Sequence, residues 1–136
     1  MGSDGGYECY TLSGDNGCIA EARHRVAVFL DQARARHGPL ISARATDLSQ
    51  LVVSELVTNA HKYAPGPVEM ELRMDADTLT VAVRDGDPTV PTARTSDPGR
   101  IGQHGLEIVK AVTKDLDIQR ESAGKRITAR IGLLDY

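Results

Sequence analysis

Apolar positions along this chain change period several times, and each change marks an element. From Ile19 to Arg36 the residues Ala22, Val26, Phe29, Leu30 and Ala33 recur at three- and four-residue steps, which places them on one face of an α-helix. His37-Gly38-Pro39 ends that helix, because glycine accepts the left-handed cap and proline cannot continue the ladder. A second helix is predicted over Asp47 to Ala64, with Leu51, Val52, Leu56, Val57 and Ala60 at helical spacing. Thr46 or Asp47 is the candidate cap at its start, and Pro65-Gly66-Pro67 is its stop.

The period then drops to two. Val68, Met70, Leu72 and Met74 alternate with Glu69, Glu71 and Arg73, the signature of a half-buried strand. A turn at Asp75-Ala76-Asp77-Thr78 leads to a second strand, in which Leu79, Val81 and Val83 alternate with Thr80, Ala82 and Arg84. Tyr7 to Leu12 is an earlier candidate strand by its Tyr and Thr content. A Pro- and Gly-bearing loop runs from Asp85 to His104, and Gly105 to Val112 reads as helix. Ile118 with its neighbours, then Ile127, Ala129 and Ile131, mark two last strands with Gly124 at the turn between them. The economical assembly is an α+β two-layer sandwich, with helices packed on one face of a mixed, mostly antiparallel sheet. A chain of 136 residues suits one domain, placed at 7–136 after a flexible start at 1–6.

Composition narrows the function classes. The chain is 40% apolar and 26% charged, as soluble globular proteins are. One Phe and no Trp leave the core to Leu, Val, Ile and Ala. A net charge of −3 argues against direct nucleic-acid binding through a basic field. The first ten residues are polar and Gly-rich, unlike a signal peptide, and no stretch approaches the roughly 20 apolar residues of a membrane span. The cytoplasm is therefore the expected compartment. Cys9 and Cys18 flank the turn-like Ser13 to Gly17, so a disulfide is geometrically conceivable, though reduced thiols are the expectation in that compartment. His24, His37, His61 and His104 lack zinc-ligand spacing. Neither a Ser-His-Asp arrangement nor a Walker-type phosphate loop stands out.

Three segments carry candidate chemistry. In Ser54-Glu55-Leu56-Val57-Thr58-Asn59-Ala60-His61-Lys62 the residues Glu55, Asn59 and Lys62 share a helical stripe. A carboxylate, an amide oxygen and an amine so arranged can serve as base, Mg²⁺ ligand and phosphate contact; an ordinary solvated helix face has the same pattern. In Arg84-Asp85-Gly86-Asp87 the strand parity puts Asp85 on the side of Leu79, Val81 and Val83. A carboxylate at the lip of an apolar pocket can accept from an exocyclic amine, which suits adenine, although Asp-Gly also simply opens turns. Finally, Gly99 to Leu106 supplies glycines before a helix, where backbone N–H groups can approach phosphates. Many loops end in that way too.

Taken in order, these segments resemble the GHKL ATPase superfamily, the histidine-kinase-like ATPase fold. Ser-Glu-Leu-Val-Thr-Asn-Ala at 54–60 is similar to its N box, Asp85 to the aspartate of its first glycine box, and Gly105-Leu106 to the end of its second. The short length and the wording around Ser54 look most like the small bacterial anti-sigma-factor serine-kinase branch, and the likeness runs from about Ile19 to Leu133. The resemblance implies ATP and Mg²⁺ as ligands. Glu55 would polarise the attacking hydroxyl, Asn59 would hold Mg²⁺, Lys62 would lie near phosphate, Asp85 would take the adenine amine, and Gly102, Gly105 and Leu106 would belong to the phosphate loop. The implied partners are a sigma factor and a STAS-type antagonist phosphorylated on serine or threonine, and dimerisation is common among such relatives. A non-catalytic interaction module with weak or no nucleotide binding is the alternative. The chain departs from the family's wording at Asp87, where a glycine is usual, at Gln103, again in place of glycine, and at Lys125, where threonine often follows the late glycine.

Overall fold

The computed structural model describes residues 6–12, 17–37, 41–63, 67–75, 77–85, 106–121 and 124–133. The described elements are β1 (Tyr7–Leu12), α1 (Cys18–His37), α2 (Ala43–Tyr63), β2 (Val68–Asp75), β3 (Thr78–Asp85), α3 (106–112), β4 (Asp115–Glu121) and β5 (Gly124–Gly132). The sheet order is β1-β2-β3-β5-β4, and each of its four pairings is antiparallel. The result is the two-layer α+β arrangement read from the periodicities, with the helices against one face of the sheet.

The alternation in the strands decides which face is covered. Val68, Met70, Leu72 and Met74 on β2, Leu79, Val81 and Val83 on β3, and Ile127, Ala129 and Ile131 on β5 are buried in one cluster. From the helix layer, Ala22, Val26, Phe29, Leu30 and Ala33 on α1 and Val52, Val53, Leu56, Val57 and Ala60 on α2 join it. Val109 of α3 is buried in the same cluster, with Leu106 and Val112 packed at its margin. The opposite face is polar and cross-linked. Arg84 meets its register partner Glu69 at 3.2 Å, and Arg126 reaches Glu71 at 3.4 Å across the intervening β3. Ala82 lies between those two and is only 5% exposed despite its outward parity. Surface pairs of this kind each contribute little; their effect here is to keep a long open sheet face hydrophilic.

The second helix starts four residues earlier than its periodicity predicted, at Ala43 rather than Asp47. Neither Thr46 nor Asp47 is the cap. Ser42 Oγ accepts from the Ala45 N–H at 3.0 Å, which satisfies one of the orphan donors of the first turn. Thr46 Oγ1 instead accepts from Arg34 Nη2 at 3.0 Å, while Arg34 Nε donates to the Ile41 carbonyl at 3.1 Å. One guanidinium thus ties the end of α1 to the start of α2. Replacing Ser42 with alanine is expected to lower stability by about 1 kcal/mol through loss of the cap. Urea unfolding checks this, and an unchanged midpoint would show that the turn is held by Arg34 alone.

Cys9 is exposed on β1 and Cys18 is buried at the start of α1, each as a thiol. Partial burial first, then the carboxylates of Glu71 and Glu69, push the Cys9 thiol above its ordinary range. It is therefore protonated and weakly nucleophilic at neutral pH. No described helix is long and apolar enough to cross a membrane.

Candidate functional site

Strand parity and helix register meet at one end of the sheet. On β3 the inward row Leu79, Val81, Val83 ends in Asp85, which is 4% exposed. On β5 the inward row Ile131, Ala129, Ile127 ends, by the same alternation, in Lys125. The β3–β5 register pairs Val83 with Ile127 and Arg84 with Arg126, so Asp85 and Lys125 finish the two rows side by side. Lys125 donates its backbone N–H to Asp85 Oδ1 at 3.1 Å.

Gly124 makes that approach feasible. Its φ is +141°, and a Cβ at this position would collide with the Asp85 carbonyl oxygen and lie 2.7 Å from Asp85 Oδ1. Only a residue without a side chain lets the start of β5 close against the end of β3 here.

Asn59 joins this group from the helix layer. It is 6% exposed, and its Oδ1 accepts from Lys125 Nζ at 3.4 Å. The stripe of Glu55, Asn59 and Lys62 therefore borders the apolar surface of α2, because Asn59 lies on its buried margin. Glu55, one turn earlier, is half-buried. Lys62 is on the last turn of α2, with its side chain outside the described part of the structure. Gly102 and Gly105 lie outside the described residues, as do Asp87, Gln103 and the rest of 86–105. Leu106, the first residue of α3, packs half-buried against the core. Of the sequence-derived candidates, the structure therefore brings together Asn59 and Asp85, and it does so through Lys125.

Lys125 is the residue that sequence reasoning treated only as a departure. The signal that finds it is the same alternation that found Asp85, run backwards along β5 from Ile127. It also bears on a metal at Asn59. Magnesium binds oxygen at about 2.0–2.1 Å, so an ion on Asn59 Oδ1 would sit within roughly 5.5 Å of the ammonium that already approaches that oxygen. Among the described residues no cluster of three or more His, Cys, Asp or Glu is present to hold an ion there by protein ligands alone. A divalent ion does not fit on Asn59 while Lys125 holds this position.

The comparisons agree on the framework. The family model for the histidine kinase-like ATPase domain matches residues 17–131. Among solved structures, the chain is similar to the histidine kinase domain of the Erythrobacter litoralis EL346 blue-light activated histidine kinase, with a TM-score of 0.51 and 20% identity over 79% of this chain. It spans 61% of that domain's length. It is also similar to the Acinetobacter baumannii histidine kinase AdeS, with a TM-score of 0.51 and 14% identity, covering 96% of this chain and 69% of that one. At such identities these two likenesses carry the fold alone. No curated protein matches the chain. With nearly all of its described elements inside the matched range, and with strands and helices in the corresponding architecture, the chain belongs to the histidine kinase-like ATPase domain family.

Proposed function

We propose that this chain is an ATP-binding regulatory protein whose adenine reader is Asp85. The observation that carries the reading is the end of the β3 inward row. A nearly buried carboxylate there borders the apolar layer between sheet and helices, with Lys125 beside it and Asn59 at the end of the Lys125 side chain. An apolar slot with one fixed acceptor suits a purine bearing an exocyclic amine. The Lys125 ammonium suits the phosphates.

The finer reading is a serine/threonine kinase of the anti-sigma-factor type, acting on a STAS-type antagonist and alternating between it and a sigma factor. What supports it is the wording around Glu55 and Asn59. In that reaction Glu55 would orient the attacking hydroxyl, and the rest of the site would position and stabilise charge, as phosphoryl transfer requires. Mg²⁺ is the phosphate partner that the resemblance implies, and it would reach Asn59 only after Lys125 had moved.

Calorimetric titration with ATP, using GTP as the control, tests the coarser reading. Saturable ATP binding below millimolar concentration, with GTP clearly weaker, is expected. No heat from either nucleotide would favour the alternative, an interaction module that has kept the fold without the ligand.

A further inference from the structure

We propose that the Lys125 ammonium takes the part of a divalent metal at Asn59, so that this chain binds nucleotide without requiring Mg²⁺. The inference rests on the ATP reading above and concerns how the phosphates are neutralised.

Three observations support it. Lys125 Nζ lies 3.4 Å from Asn59 Oδ1, the oxygen to which the family resemblance assigns the metal. The lysine is also aimed. Its parity is that of Ile127, Ala129 and Ile131, so its stem leaves the strand toward the helix layer rather than toward the polar sheet face. Finally, its backbone is fixed. The N–H is held by Asp85 Oδ1 at 3.1 Å, and the preceding Gly124 is packed against Asp85 in a conformation closed to other residues. A surface lysine would spread its charge over many rotamers. This one starts from an anchored, half-buried position between the amine acceptor and the amide.

The chemistry is balanced without a metal. A lysine ammonium binds phosphate as a point charge with three rotatable donors. Its flexible stem lets it stay in contact with Asn59 while turning another donor to a phosphate oxygen. Asn59 then acts as a positioning residue that holds the ammonium.

The test measures ATP affinity for the full chain in excess EDTA and in excess Mg²⁺. The wild-type comparison needs no variant, and Lys125→Met and Lys125→Arg are measured beside it with circular dichroism as the check on folding. The wild type should bind ATP within about threefold of the same affinity in the two conditions, and Lys125→Met should lose about tenfold in EDTA, the size of one charge-assisted hydrogen bond. Lys125→Arg should stay near the wild type in EDTA, since it keeps the charge. Wild-type binding that appears only with Mg²⁺ would overturn this inference and leave the ATP reading standing. So would a folded Lys125→Met with unchanged affinity in EDTA. Absence of binding in both conditions would overturn the ATP reading, and this inference with it.

Discussion

Replacing Gly124 with alanine is expected to destabilise the protein by about 3 kcal/mol, the combined scale of a forbidden backbone region and an overpacked contact. The residue has φ of +141°, a region that side chains on an L-residue rarely enter. The added Cβ would meet the Asp85 backbone, which cannot rotate away as a side-chain tip could. Relief would require the first residues of β5 to separate from β3, breaking the Lys125 N–H bond to Asp85 Oδ1. The variant should therefore lose nucleotide affinity as well as stability. Gly132, at the other end of the same strand, is the internal control. A Cβ there meets only Lys114 Cε at 3.4 Å, the far part of a flexible side chain. Gly132→Ala should stay within about 1 kcal/mol of the wild type. Urea unfolding of the two variants decides the matter. If Gly124→Ala unfolds at the same midpoint as Gly132→Ala, the close approach of β5 to Asp85 is not a constraint on the fold.

The strands of this protein were legible in its sequence because one sheet face is buried and the other solvated, which prints a period of two on β2, β3 and β5. The same rule places Asp85 on the inward side, and its burial agrees. The start of α2 was less legible for a physical reason. Between Ile41 and Leu48 only Ala45 is a buried apolar residue on the helix, too small a signal to extend the periodicity back to the Ser42 cap. Spacing alone puts Asn59 on a polar stripe with Glu55 and Lys62. At 100° per residue it falls about 20° from Val52, inside the edge of the buried arc, whereas Glu55 lies about 40° further round. A seven-residue step therefore outweighs the four-residue one in deciding its environment. Lys125 follows the same parity as Ile127, Ala129 and Ile131, whereas comparison with the threonine common in the family marks it only as a departure. The Gly-rich segment at 99–105 lies outside the described residues, and its proposed part in phosphate binding stands on sequence.

Replacing Asp85 with asparagine is expected to lower ATP affinity by about 10- to 100-fold with little change in stability, the range for losing a hydrogen bond to a charged acceptor. The substitution separates two tasks of one side chain. Asparagine keeps an Oδ1 that can accept from the Lys125 N–H, so the β3–β5 junction survives. It replaces the second carboxylate oxygen with an NH₂ donor, which would face the exocyclic amine of adenine donor to donor. Guanine presents a carbonyl oxygen at the corresponding position. That oxygen is repelled by a carboxylate but accepts a hydrogen bond from an amide NH₂, so the variant should close much of the gap between ATP and GTP. A purine nucleotide lacking the exocyclic amine supplies the remaining corner of the cycle, since it should bind the wild type weakly and the variant no more weakly. The decisive quantity is the ratio of affinities rather than either value. If the variant weakens ATP, GTP and the amine-free analogue by one common factor, Asp85 supports the pocket without reading the base, and the adenine assignment fails.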